Sequence, residues 1–120
     1  MAATITPVIL TADLERLHSF YRDMIGGVEV TRIPSEGPTF YLGMQVGDGQ
    51  LGLVADDGVQ AGQQQRFLLS VAVEDVDALL ARVEALGGRT LGPPNDMPCD
   101  RRVAHIQDPD GNAVNLTHQL

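Results

Sequence analysis

Residues 108–116 read DPDGNAVNL, a tight turn that runs directly into a strand. Pro109 suits the first central position of a type I turn, and Gly111 suits the left-handed position of a three-residue loop with a G1 bulge. This loop sets four cross-strand pairs: Asp108 with Asn112, Ile106 with Val114, His105 with Asn115, and Ala104 with Leu116. Because side chains alternate across a strand, the loop decides which of them face the core.

The register separates apolar from polar side chains in this hairpin. One face carries apolar residues, namely Ala104, Ile106, Val114 and Leu116. The other carries polar residues, namely His105, Gln107, Asn115 and Thr117. A two-residue loop would mix the two sets, so the separation favours the bulged turn. The polar face either lines a cavity or is solvated sheet surface.

The same helix-end and turn signals recur in both halves of the chain at an offset of 61 or 62 residues. They consist of a helix-capping Asp, a glycine pair after the helix and an Asp-Gly turn. The matching positions are Asp13 with Asp75, Gly26 with Gly87, and Asp48-Gly49 with Asp110-Gly111. Three such signals at nearly the same offset predict an internal duplication. We therefore predict one α+β domain over residues 1–120, with tandem βαβββ modules at about residues 1–58 and 66–120.

Apolar spacing places the elements within each module. In module one we expect strands at residues 4–11, 28–33, 39–46 and 50–55, with a helix between Asp13 and Gly26. In module two we expect strands at residues 66–73, 89–91, 101–107 and 112–118, with a helix between Asp75 and Gly87. Each helix covers one face of its strands, so the two sheets can curl into a mixed sheet around a cavity. The cavity faces would carry Thr6, Val8, Tyr41, Gly43, Gln45, Gly52, Leu68 and Ser70, whereas Phe40 would alternate to the core side.

Composition restricts the partners of this chain. Sixteen acidic residues and eight arginines, with no lysine, give a net charge of −8, which disfavours nucleic acid and anionic membranes. The sequence has no apolar run long enough to span a membrane, and its N-terminus lacks signal-peptide features. Cys99 is the only cysteine, which excludes an internal disulfide and a cysteine-built metal site. We therefore predict a cytoplasmic protein with a neutral or cationic small-molecule ligand and no nucleic-acid or membrane partner.

The chain resembles the vicinal oxygen chelate superfamily. The resemblance lies in the paired βαβββ units, in residues 20–27 (FYRDMIGG) at the end of the first helix, and in DPDGN before the last strand. It covers essentially the whole chain. That superfamily includes glyoxalase I, extradiol dioxygenases, fosfomycin-modifying enzymes and bleomycin-resistance binding proteins.

The resemblance implies where a metal would be held. Metal-using members place a His, Gln or Glu near the middle of each module's first strand and a Glu in each fourth strand. The matching positions here are Thr6, Gly52, Leu68 and Asn115. None of these is a strong ligand for a divalent ion, and neither His18 nor His118 obviously substitutes. The sequence therefore predicts no functional metal, and no cofactor motif is visible.

His105 matches the position at which similar extradiol dioxygenases carry an acid/base residue. An imidazole can titrate near neutrality and hydrogen-bond to a ligand. Asn115 beside it presents one acceptor and two donors. The pair is either a recognition site for a neutral polar ligand or a cross-strand hydrogen bond that braces the sheet.

Other side chains complete the candidate site. Residues 92–100 (GPPNDMPCD) form either a lid, to which Met97 contributes apolar contact, or a plain connecting loop. Arg101 falls on the His105 side, where it can meet an anionic group or pair with Asp96 or Asp100. Tyr41 is the best stacking residue. The predicted ligand-binding residues are His105, Asn115, Tyr41, Gln45, Thr6, Leu68, Ser70, Arg101 and Met97.

Three functions remain open. The first is a metal-free protein that binds an antibiotic or metabolite. The second is a metal-independent isomerase or lyase that uses His105 as its acid/base, and the third is a metal-dependent lyase or dioxygenase. We favour the first because no nucleophile or paired carboxylate is visible. The resemblance also implies a homodimer, in which modules pair within one chain or between chains.

Overall fold

A computed structural model describes residues 5–64, 66–98 and 100–120, which form two compact units that divide between Gln60 and Ala61. The first unit contains β1 (Val8–Thr11), α1 (Leu14–Ile25), β2 (Val28–Ile33), β3 (Tyr41–Val46) and β4 (Gly49–Ala55). The second contains β5 (Leu69–Ala72), α2 (Val76–Val83), β6 (Arg89–Thr90), β7 (Asn95–Met97), β8 (Arg101–Gln107) and β9 (Ala113–Gln119). The α+β class and the tandem βαβββ order are confirmed, with β7 as an additional short strand. No helix among the described residues has the length and apolar character needed to cross a membrane.

The first unit is a four-stranded mixed sheet that packs against α1. Its strand order is β1-β4-β3-β2, with β1 parallel to β4 and the remaining pairs antiparallel. Asp13 caps α1 as predicted, because its carboxylate accepts the backbone N–H of Arg16 at 3.1 Å. Gly26 ends the helix in the left-handed conformation, with φ of 72°. The buried apolar residues of this unit are Leu14, Leu17, Phe20, Tyr21, Met24, Leu42, Met44, Leu51 and Leu53.

The second unit repeats the arrangement. Its strand order is β5-β9-β8-β6, with β5 parallel to β9 and β7 also paired to β8. Asp75 caps α2 by accepting the backbone N–H of Ala78 at 3.2 Å. The helix contacts β6, β8 and β9. The buried apolar residues here are Val76, Val83, Ala104, Ile106, Val114 and Leu116.

The β8–β9 hairpin has the predicted register, in which His105 lies opposite Asn115. Gly111 is left-handed, with φ of 85°. The Asp108 carboxylate holds the turn, since it accepts the N–H of Asp110 at 2.9 Å and the N–H of Asn112 at 2.9 Å. It also accepts the side-chain N–H of Asn112 at 2.8 Å, and only 3% of Asp108 is exposed. One buried carboxylate therefore fixes the turn that sets the register.

The second helix ends earlier than predicted. It stops at Val83 rather than continuing to Gly87. The Glu84 carboxylate accepts the backbone N–H and the hydroxyl of Thr90, each at 3.1 Å, and these bonds connect the end of α2 to β6. The N–H of Gly88 then closes the turn on the carbonyl of Val83 at 3.0 Å. The predicted apolar stripe is consequently incomplete, and three of its members are only half-buried: Leu79, Leu80 and Leu86.

Several smaller expectations were also wrong. The two leading strands are shorter than predicted, so Thr6 precedes β1 and Leu68 precedes β5. Phe40 precedes β3 and is 59% exposed, because the alternation that would bury it begins only at Tyr41. Residues 92–100 contain β7, which pairs with β8, and are therefore more than a connecting loop. Residue 4 of the first predicted strand and Cys99 lie outside the described residues.

His118 stabilises the start of α2. Its Nδ1 atom accepts the backbone N–H of Val76, the first residue of that helix, at 2.8 Å. The first N–H groups of a helix have no partner within the helix, so an external acceptor satisfies one of them. The imidazole is thereby committed to the helix side of β9, which explains why it does not substitute for a ligand on the opposite face.

We expect Asp108→Ala to lower the free energy of unfolding by about 2–4 kcal/mol, because three donors lose a buried charged acceptor. Denaturant titration measures this change. Asp48→Ala is the matched control, since Asp48 lies exposed in the β3–β4 turn. Its expected effect is within about 0.5 kcal/mol. Equal losses in the two variants would contradict the role assigned to Asp108.

Candidate functional site

Each sheet has one face directed away from the helix of its own unit, which we call the helix-free face. In the second unit, alternation and register assign polar side chains to this face. Asn115 lies between Val114 and Leu116, both of which are buried on the helix side. Ser70 on β5 and His105 on β8 both lie opposite Asn115, so these three residues form a row across β5, β9 and β8.

The Asn115 carboxamide has an unusual environment. Its Oδ1 atom is buried but has no hydrogen-bond partner. No hydrogen bond connects the side chains of His105 and Asn115 in the described part of the chain, so of the two alternatives the bracing bond is not formed. A buried acceptor without a donor costs about 1–3 kcal/mol. The oxygen therefore lacks a donor among the described residues, and His105, which is exposed, stands directly opposite on β8.

Arg101 lies on the same face as predicted, but its partners differ from those expected. Its guanidinium donates to the Thr117 hydroxyl at 2.9 Å and to the Gln119 side-chain oxygen at 3.3 Å. The suggested pairing of Arg101 with Asp96 or Asp100 was therefore wrong. Asp96 lies opposite Arg102, and because side chains alternate along β8, Arg102 points to the helix side whereas Arg101 points to the helix-free side. Thr117 is buried and lies two residues after Asn115 on the same face of β9.

Arg102 holds β7 in place. Its guanidinium binds the Asp96 carboxylate through two bonds, Nε to Oδ1 at 2.7 Å and Nη2 to Oδ2 at 3.1 Å. A third bond reaches Asp77 on α2 at 2.6 Å. The hydrogen bonds from Arg102 hold the pKa of the Asp96 carboxyl below its ordinary value. One arginine thus connects β7, β8 and α2.

Met97 and Leu68 lie at the margins of this face. Met97 pairs with Arg101 across β7 and β8, which puts it on the helix-free side, and 44% of it is exposed. Leu68 directly precedes β5 and is 49% exposed. Leu68 therefore offers apolar surface beside Ser70, whereas Met97 lies next to Arg101, four residues along β8 from His105.

The predicted site residues of the first unit have different surroundings. Tyr41 lies over Gly43 and Gly52, which are paired across β3 and β4. Gln45 is engaged locally, because its amide donates to the Gly47 carbonyl at 2.7 Å and its oxygen accepts from Gln50 at 3.2 Å. Thr6 precedes the strand, and the residue opposite Gly52 on β1 is Val8.

The comparison with protein families identifies the fold of the whole chain. Residues 4–116 match the model described as Glyoxalase/Bleomycin resistance protein/Dioxygenase superfamily. The chain belongs to this superfamily. It is 28% identical over 108 residues to CFP32 of Mycobacterium bovis and Mycobacterium tuberculosis, which bears the name glyoxylase on a provisional basis. The match covers 88% of this chain and 41% of those proteins, so the chain spans about two fifths of their length.

Several solved structures share this fold. TioX from Micromonospora sp. ML1 matches with a TM-score of 0.76 and 21% identity, over 98% of this chain and 97% of TioX. The fosfomycin resistance protein FosX of Listeria monocytogenes matches with 0.78 and 13%, over 100% and 95%. A lactoylglutathione lyase of Agrobacterium tumefaciens matches with 0.70 and 21%, over 98% and 94%. At these identities the likeness concerns the fold.

The positions used by the metal-binding members of the superfamily do not form a metal site here. Gly52 has no side chain and Leu68 only an alkyl one. Thr6 and Asn115 offer neutral oxygens, whereas hard divalent cations favour charged ones. Within residues 5–64, 66–98 and 100–120, no three His, Cys, Asp or Glu side chains are grouped so that they could hold a metal ion. The residues present at these positions therefore do not fit a divalent ion.

Sequence reasoning missed the role of Arg102 and the strand partner of Val8. Arg102 was not assigned a role, because its pairing with Asp96 follows only once β7 is recognised as a strand. Val8 is the residue directly opposite Gly52, a match that required the observed start of β1. The contact of Tyr41 with Gly43 and Gly52 did have a signal in the sequence. Residues 41–43 (YLG) and 51–53 (LGL) place two glycines at paired positions of β3 and β4, beside an aromatic residue.

We expect Asp96→Asn to accelerate amide hydrogen exchange in β7, because the bidentate bond from Arg102 is lost. The difference from the unmodified protein should be present at neutral pH. It should shrink as the pH falls through the lowered pKa of Asp96, since the carboxyl then becomes neutral in the unmodified protein too.

Asp77→Asn is the matched control for this experiment. It removes the bond from Arg102 to α2 and leaves the bond to Asp96 intact. Exchange in β7 should then remain slow. Equal acceleration in both variants would mean that Asp96 does not hold β7.

Proposed function

We propose that this protein is a metal-free binding protein that sequesters a small molecule, such as an antibiotic or a metabolite. The observation that carries this proposal is the buried, unpartnered oxygen of Asn115, which a ligand with an N–H or O–H group would satisfy. His105 and Ser70 lie opposite it and can add polar contacts. The lack of a fitting ligand set for a divalent ion supports the metal-free assignment.

The ligand we propose is neutral or cationic. The net charge of −8 favours such a ligand over an anion. Leu68, two residues before Ser70 on the same face, would contact its apolar part, and Arg101 is already occupied by two side-chain acceptors. We also propose a cytoplasmic homodimer, and light scattering of the purified protein would determine its mass in solution.

Untargeted mass spectrometry of small molecules that co-purify with the protein would identify candidate ligands. A true ligand should raise the melting temperature and be recovered unchanged. Recovery of a converted product would instead assign the protein to an enzymatic function.

We expect Asn115→Leu to separate stability from binding. Removal of an unpartnered buried oxygen should leave the free energy of unfolding unchanged or raise it by about 1–2 kcal/mol. The affinity for the co-purifying compound should fall about tenfold, because its donor loses the acceptor. Calorimetry of binding and denaturant titration measure the two effects.

Asn112→Leu is the matched control, because the side chain of Asn112 already donates to Asp108. This variant should lose stability and keep its affinity. If Asn115→Leu bound the compound as tightly as the unmodified protein, the proposed site would be wrong.

A metal-independent isomerase or lyase is the second candidate. It is supported by the exposed imidazole of His105, which stands opposite a carboxamide that could orient a substrate. His105→Ala should abolish turnover of a candidate substrate and leave the melting temperature nearly unchanged. Continued turnover in that variant would remove this mechanism, and metal analysis of protein purified without chelator would test the metal-dependent alternative.

A further inference from the structure

The first turn of α2 depends on a side chain from the last strand of the sheet. The Nδ1 atom of His118 accepts the backbone N–H of Val76 at 2.8 Å. Val76 is 0% exposed, so water cannot replace this acceptor while the helix stays in place. The bond requires a neutral imidazole with its proton on Nε2, because an imidazolium donates from both nitrogens and accepts at neither. His118 is only half-buried, and its ring can therefore exchange protons with the solvent.

Few other contacts hold the start of this helix. The eight residues of α2 bury only two side chains, those of Val76 and Val83, whereas the twelve residues of α1 bury six. An isolated helix of this length is not stable in water, so α2 persists through its bonds to the rest of the unit. Two of these bonds, accepted by the carboxylates of Asp75 and Asp77, are exposed. The bond to His118, by contrast, satisfies an N–H group of a buried residue.

The matching position of the first unit carries a different side chain. At the repeat offset of 62 residues, His118 corresponds to Asp56. The Asp56 carboxylate accepts the N–H of Gly58 at 2.8 Å, within its own turn. A response that depends on the imidazole of His118 is therefore expected in α2 and not in α1, which makes α1 an internal reference.

Charged groups surround the imidazole and act on it in opposite senses. Arg102 lies directly opposite His118 in the pairing of β8 with β9. The pKa of the Asp96 carboxyl is lowered mainly by the hydrogen bonds from Arg102 and in smaller part by the charge of His118 when it is protonated. The groups around the ring are Glu74, Asp75 and Asp77 at the start of α2, Asp96 on β7, Asp100 before β8 and Arg102 on β8. The carboxylates favour an imidazolium and the guanidinium disfavours it, but none of them can restore an acceptor at Nδ1.

We propose that His118 is an acid-sensitive anchor of α2. When Nδ1 takes up a proton from the solvent, its bond to Val76 is lost, and the positive end of the helix dipole repels the imidazolium. The first turn of α2 then separates from β9 and exposes the side chain of Val76. The β8–β9 register does not change, because Asp108 holds it at the opposite end of the hairpin. The second unit thus opens locally under the control of pH, and this inference does not depend on the proposed binding function.

The test is a pH titration of the full chain, labelled with ¹⁵N and followed by NMR between about pH 8 and pH 5. Long-range ¹H–¹⁵N spectra should show His118 with its proton on Nε2 at the upper end of this range. The Val76 amide signal should move along the same titration curve as the Nδ1 signal of His118. The protection of the Val76 amide against exchange, corrected for the intrinsic rate at each pH, should fall by about tenfold as the pH is lowered.

Leu17 and Leu79 supply a matched reference, because each donates its N–H to the carbonyl of the Asp that caps its helix. The protection of Leu79 in α2 should fall together with that of Val76, whereas the protection of Leu17 in α1 should not. An equal loss at Leu17 would mean that the whole chain unfolds, which would overturn a local release of α2.

Three variants identify the titrating group. His118→Asn keeps a side-chain oxygen near the position of Nδ1 and does not titrate in this range, so the Val76 amide should lose its pH dependence. His118→Leu removes the acceptor and should leave Val76 weakly protected at every pH. His105→Asn is the control, since His105 lies on the opposite face of the sheet, and the Val76 titration should remain intact.

A Val76 signal that stays fixed while His118 titrates would overturn the proposal. So would a pH-dependent loss of protection at Val76 that persists in His118→Leu, or a His118 ring that carries its proton on Nδ1 at about pH 8. If neither variant of His118 folds, the titration of the unmodified protein still decides between these outcomes.

Discussion

The hydrogen bonds accepted by the buried Asp108 carboxylate determine the architecture of the second unit. They hold the turn between β8 and β9, and the turn sets the pairing of His105 with Asn115. Because side chains alternate, a shift of one residue would move Val114 and Leu116 out of the core and bring Asn115 into it. The core of this unit and the chemistry of its helix-free face therefore depend on the same local constraint.

The two units share a scaffold but differ in the surfaces they present. In the second unit the helix-free face is polar and contains an acceptor without a donor at Asn115. In the first unit the described strands place uncharged side chains on this face, and the Tyr41 ring lies against Gly43 and Gly52. The fold tolerates this difference because side chains alternate across a strand. Residues on one face of a sheet can differ while those on the other face pack against the helix.

Much of the fold could be predicted because it is encoded locally. Capping by Asp13 and Asp75, the end of α1 at Gly26 and the register of the last hairpin all depend on neighbouring residues in the sequence. The strand β7 was missed because it is three residues long and is flanked by prolines, which usually indicate a loop.

The details of the candidate site depended instead on contacts between distant residues. The alternation of side chains along β8 correctly placed Arg101 on the face of His105. It could not reveal that Thr117 and Gln119 accept the hydrogen bonds of Arg101. Nor could it show that the Asn115 oxygen would lack a donor, since this depends on the side-chain conformations of several strands. The early end of α2 likewise follows from the bonds between Glu84 and Thr90.

The position of Tyr41 also has a spectroscopic consequence. The chain contains no tryptophan and only two tyrosines, so these two phenols account for its near-ultraviolet emission. Tyr21 is 1% exposed and packs edge-on against Phe20, with the ring centroids 5.2 Å apart. Tyr41 lies on the helix-free face. Tyr41 is only partly buried, so the folded protein carries two fluorophores that differ in their exposure to a collisional quencher.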